Sequence, residues 1–69
     1  MAKIYYNRIK AALAESNIGN NDLAKKIKVT EQTVSAWCTN TKQPSIKRLY
    51  DISKVLKVDV RELLTPTKW

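Results

Sequence analysis

Apolar residues recur at spacings of three and four along nearly the whole chain, broken by one Gly and two Pro. That pattern predicts helices rather than strands and turns. A first helix is expected over about 3–16, its stripe made by Tyr5, Ile9, Ala12 or Leu13, and Ser16, beside the charged Arg8, Lys10 and Glu15. It ends near Asn17. A second is expected over about 20–27, with Gly19 at the N-cap, Asp22 near the positive helix end, and Leu23, Ala24 and Ile27 facing inward. Thr30 is a strong N-cap for a third over about 31–39, whose inward residues are Val34 and Trp37. The polar run Thr39 to Ser45 has turn chemistry, with Asn40 suited to the left-handed conformation. A fourth helix over about 46–57 carries Ile46, Leu49, Ile52, Val55 and Leu56 as one face. Asp59 and Glu62 then match a capping box for a helix of one to two turns over Val60 to Leu64, stopped by Pro66. No repeat, low-complexity tract or linker interrupts the series. The expected fold is all-α, a compact five-helix unit filling residues 1–69 as one domain, with its core at about 4–64 and a tail at 65–69 free to fray.

The composition adds a direction. Sixty-nine residues of which 43% are hydrophobic suit one folded domain and not a disordered chain. Thirteen Lys or Arg against six Asp or Glu, with no His, give a formal charge of +7. Such a surplus points to polyanions, nucleic acid before an anionic membrane surface. Cys38 has no partner for an internal disulfide, and without His or a second Cys there is no zinc-finger spacing. No metal or cofactor is expected, and a reducing cytoplasm is the simplest setting. The N-terminus meets a charge before any signal-type apolar run forms, and nothing approaches the roughly 18 apolar residues of a membrane span. General acid-base catalysis most often uses His, and the one thiol has no imidazole to activate it, so an enzyme is not expected.

The second and third helices, joined by about three residues, make a helix-turn-helix candidate. Ala24 is small enough to let the later helix pass close by, while Leu23, Ile27, Val29, Val34 and Trp37 fill the angle between the two. An ordinary small helical bundle with a fitting turn would share that spacing. The segments Arg8-Ile9, Leu23-Ala24 with Ile27, Val29-Thr30, Thr33-Val34-Ser35-Ala36-Trp37, Gln43-Pro44-Ser45, Leu49 and Val58 to Leu64 together resemble the Cro/C1-type, or XRE-like, helix-turn-helix regulators of bacteria and phages. The resemblance covers about 8–64 and implies a lambda-repressor-like fold. Two departures stand out. Lys28 occupies a turn position that often holds Gly, where a left-handed Lys costs about 1 kcal/mol, and Thr39-Asn40 replaces a common Asn-Gly.

The resemblance further implies that the third helix enters the major groove of double-stranded DNA, presenting Glu31, Gln32, Thr33, Ser35 and Ala36 to base edges. Gln32 suits adenine, which its carboxamide can meet with one donor and one acceptor. Thr33 and Ala36 suit a thymine methyl. Glu31 suits either a cytosine amino group or the positive end of its own helix. Phosphate contacts are expected from Asn20 and Asn21, from the loop residues Asn40, Thr41 and Lys42, and from Ser45 and Lys47 at the next helix start. Lys25, Lys26, Lys54 and Lys57 read as solvated helix faces, Trp37 as core, and Cys38 as a half-buried filler. Tyr5, Tyr6, Leu64 and Trp69 are candidates for a surface exposed in the monomer. The resemblance implies a homodimeric transcriptional repressor, and a sensor domain is not expected to fit in 69 residues. Two rivals share the evidence: an antitoxin or adaptor whose main work is holding a protein partner, and a nonspecific nucleoid-type or membrane-surface binder.

Overall fold

The structure, a computed structural model, describes residues 4–68. Among the described residues, four α-helices form in chain order: α1 (Ile9–Glu15), α2 (Asn20–Ile27), α3 (Glu31–Cys38) and α4 (Ile46–Leu56). A 3₁₀ helix at Val60–Leu63 follows. Among the described residues, no helix is long and apolar enough to cross a membrane.

The first helix starts later than the apolar spacing predicts. Residues 4–6 lie outside helix, and Asn7 forms an antiparallel bridge with Leu64. The Arg8 N–H donates to the Leu63 carbonyl at 2.8 Å, and the Thr65 N–H to the Tyr6 carbonyl at 3.0 Å. Two local causes converge. Ile-Tyr-Tyr favours extended backbone, and the Asn7 side chain accepts the Ile9 N–H at 3.1 Å, a bond that competes with continuing the helix backward. Tyr5 is therefore exposed instead of lining the core stripe. The tail is tied at Thr65 through this pairing. Lys3, placed in the first helix by its spacing, and Trp69 lie outside the described residues.

The later boundaries follow their caps. Gly19 is the extended N-cap of α2, and Thr30 caps α3 by accepting the Thr33 N–H at 3.1 Å. Ser45 does the same for α4 through the Arg48 N–H at 3.2 Å. Lys28 takes the left-handed conformation (φ 60°) that its turn position demands, as do Asn17, Asn40 and Lys57. Helix α3 ends at Cys38 and α4 at Leu56, each one residue short of the predicted end. Asp59 and Glu62 form the capping box reciprocally, yet the turn they open is 3₁₀ and stops at Leu63. Leu64 is extended because its backbone pairs with Asn7.

The core gathers Ile9 and Leu13 from α1, Leu23 from α2, Val34 and Trp37 from α3, Ile52 and Leu56 from α4, and Leu63. Ile46 does not join it. At about 100° per residue, Ile46 falls roughly 90° from the arc centred on Leu49, Ile52 and Leu56, and it is 74% exposed. The packed face of α4 begins at Leu49.

Candidate nucleic-acid interface

On α3, Val34 and Trp37 are buried and hold the helix against the rest of the domain. The opposite arc is open. Glu31, Gln32 and Ser35 are exposed and line a shallow concavity of about 390 Å³. Thr33 and Ala36 are half-buried at the edges of this arc. The Thr33 hydroxyl lies 2.8 Å from that of Thr30, so it belongs to the cap. The Ala36 carbonyl accepts the N–H groups of Thr41 and Lys42 at 2.9 and 3.2 Å, which joins the end of the arc to the loop that follows. Of five residues predicted to face outward, three share the open face and two flank it.

The predicted phosphate contacts are placed less uniformly. Asn21 is exposed at the start of α2, where its side-chain oxygen accepts the Asp22 N–H at 2.9 Å. Asn20 is half-buried and accepts the Cys38 thiol at 3.6 Å. Burial pushes that thiol above its ordinary pKa, with Lys10 pulling the other way, and Cys38 is half-buried at the end of α3, as expected of a small filler. Thr41 and Lys42 are exposed in the loop after α3, and Lys47 is exposed on the first turn of α4, 3.3 Å from Asp51. Asn40 differs. Its side chain accepts the Asn7 N–H at 3.0 Å and donates to the Asn7 carbonyl at 3.2 Å, so its amide faces into the domain.

Sequence reasoning missed two features. Lys26, Lys28, Lys47, Arg48 and Lys54 converge on a cleft of about 400 Å³ between the last turn of α2 and α4, floored by Ile27 and Val55. Arg48 is fixed there, donating to the Ile27 carbonyl at 3.0 Å and lying 3.5 Å from Asp51. Five cations thus face one carboxylate, and among the described residues Lys26, Lys28 and Lys54 have no ion-pair partner. The seven-residue spacing of Lys47 and Lys54 signals one shared helix face; their meeting with α2 is tertiary and has no local signal. The second feature is Asn7, which is 5% exposed and bonded to the loop after α3. Its place two residues before Ile9 is an Asx-turn signal for the start of α1, but its distant partners are invisible in sequence.

A helix-turn-helix family model matches residues 9–63. A crystal structure from Bacteroides fragilis, described provisionally as a DNA-binding protein, is similar at 42% identity and a TM-score of 0.86, over 87% of this chain and 97% of that one. The solution structure of the SOS-response transcriptional repressor LexA from Eubacterium rectale is 21% identical, with a TM-score of 0.76 over 88% of this chain. A transcriptional regulator from Listeria innocua is 18% identical, with a TM-score of 0.70 over 93% of this chain. The match spans 65% of each of these two longer chains, and at such identities the likeness is one of fold. A search of curated proteins gave no match.

Proposed function

The chain belongs to the Cro/C1-type, XRE-like helix-turn-helix family, matched over residues 9–63, and on that premise we propose that it is a sequence-specific DNA-binding transcriptional repressor acting as a homodimer. The observation that carries this reading is the open arc of Glu31, Gln32 and Ser35 on a helix whose other side is locked into the core. A helix held this way projects short polar side chains on a stiff support, which is what reading base edges in a major groove requires. The Bacteroides fragilis relative, described provisionally as DNA-binding, supports the same reading.

In this mechanism Gln32 pairs with an adenine edge and Ser35 with either base of its pair. Thr33 and Ala36 offer methyl groups to thymine, and Glu31 accepts from a cytosine amino group or complements its own helix end. Asn20, Asn21, Thr41, Lys42, Ser45 and Lys47 hold phosphates and so set the register. The cationic cleft containing Lys26, Lys28 and Lys54 prolongs the Lys47 contact along the backbone. Asn40 acts from inside the domain rather than on phosphate. Ile4, Tyr6 and Leu64, exposed on the paired terminal segments, support a contact between two copies. A two-fold dimer would read half-sites about 34 Å apart, and repression follows when the bound pair occludes a promoter.

Selection of bound duplexes from a random pool tests the reading. The enriched sequences are expected to share a two-fold motif and to bind at least about a thousandfold more tightly than unrelated duplex, with each wrong base pair costing about 1–3 kcal/mol. Equal binding to all sequences would remove the proposal.

A further inference from the structure

We infer that Asn7 is a positioning residue for the loop after α3, setting where Thr41 and Lys42 stand against a phosphate chain; the inference rests on the DNA-binding reading above. An asparagine brings two amide hydrogens and a carbonyl oxygen, besides its backbone donor and acceptor. At Asn7 all of these are used. The side-chain nitrogen donates to the Trp37 carbonyl at 3.0 Å and to Gln43 Oε1 at 2.7 Å. The side-chain oxygen accepts the Ile9 N–H at 3.1 Å. The backbone N–H donates to Asn40 Oδ1, and the backbone carbonyl accepts from Asn40 Nδ2. Gln43 Nε2 closes the ring by donating to Asn40 Oδ1 at 3.2 Å.

Apart from Ile9, every partner lies on the last turn of α3 or the loop beyond it, at least 30 residues away in sequence. The first part of that loop is also held by backbone bonds onto Ala36 and Trp37. Among the described residues, the Gln43 side chain hydrogen-bonds only with Asn7 and Asn40. Lys42 is exposed, and its neighbour on one side and Asn40 two residues before it are both bonded to Asn7. A cation on a four-carbon stem is placed no better than its Cα, and here the Cα is bracketed by a buried anchor. The same ring explains the residue at position 40. Glycine would enter the left-handed conformation at φ 57° with less strain, but it would carry no amide to meet Asn7.

Asn7→Asp separates the two duties of the side chain. It keeps an oxygen for the Ile9 N–H and removes both donations, to Trp37 and to Gln43. Measured by ¹⁵N relaxation on the free protein, order parameters at residues 41–43 are expected to drop from about 0.85 to below about 0.6, with α1 and α3 unchanged. In duplex titrations, affinity should fall alike for all sequences, and the slope of log K against log salt should shrink by about one. Adding Lys42→Ala should then shrink it no further. Gln43→Ala, at an exposed position, should show the same changes to a smaller degree and carries both measurements if the Asn7 variant does not fold. A folded variant with a lower melting temperature, an unchanged loop and a full additional loss from Lys42→Ala would overturn the inference. A wild-type chain that binds no duplex would overturn the DNA reading and the phosphate role of the loop together, while the relaxation data would still decide whether Asn7 holds the loop.

Discussion

Gln32 and Lys28 show how single side chains divide between reading and holding. Gln32 stands on the open arc of α3 with no packing duty, so Gln32→Ala is expected to leave stability nearly unchanged. It should cost about 1–3 kcal/mol of discrimination at one or two base pairs, measured with duplexes carrying single substitutions. Uniform weakening across all duplexes would remove Gln32 from the reading set. Lys28 pairs a cost with a use. Its left-handed backbone is unfavourable for any residue with a Cβ, while its side chain lines the cationic cleft. Lys28→Gly should therefore stabilise the fold by about 1 kcal/mol in urea denaturation, since glycine enters this conformation freely. The same change should weaken duplex binding and shrink the salt slope by about one. Opposite signs in the two measurements would separate backbone strain from charge.

Caps decide the elements, and caps were also what the sequence displayed best. Thr30 holds the N-terminus of α3 through the Thr33 N–H; Thr30→Ala should cost about 1 kcal/mol by chemical denaturation. It should also blunt discrimination, because Glu31 and Gln32 sit on the turn that frays. At the 3₁₀ helix, the Arg61 side chain, and next its backbone N–H, hold the Asp59 carboxyl below the usual carboxylate range. A carboxyl lowered on folding supports the native state above the unfolded value near 4, and that support disappears as pH falls through the folded value. Thermal melts from pH 7 to pH 2 should accordingly show a steeper acid loss for the wild type than for Asp59→Asn. The starts of α2, α3 and α4 were legible because Gly19, Thr30 and Ser45 act on their own next turn. The start of α1 was not, because apolar spacing at Tyr5 and Ile9 fits a helix as well as an extended segment joined to one. What settles it is pairing of residues 6–8 with 63–65, a contact across the whole chain. Ile46 leaves the core for a related reason: its apolar character suits the face of α4, but only the packing of Leu49, Ile52 and Leu56 fixes where that face is centred.

At the scale of the molecule, the question is whether its charge of +7 acts as a diffuse cloud or as a directed surface. Sequence could count the lysines and could not say where they meet. The fold brings Lys26, Lys28, Lys47, Arg48 and Lys54 to one cleft, while Lys25 lies outside it. A diffuse field would make each lysine nearly equivalent, because exposed charges farther apart than about 10 Å are largely screened at moderate salt. A directed surface makes them unequal. The double substitution Lys26→Ala/Lys54→Ala should shrink the salt slope by about two, since each neutralised phosphate contributes about 0.9. Lys25→Ala should leave it nearly unchanged, although it removes the same formal charge per residue. Base preference should survive in both, because Glu31, Gln32 and Ser35 lie on another element. Equal slopes for the two variants, after correction for the number of charges removed, would mean that duplex DNA does not run along this cleft, and the phosphate path would have to be redrawn through the loop after α3 and the start of α2.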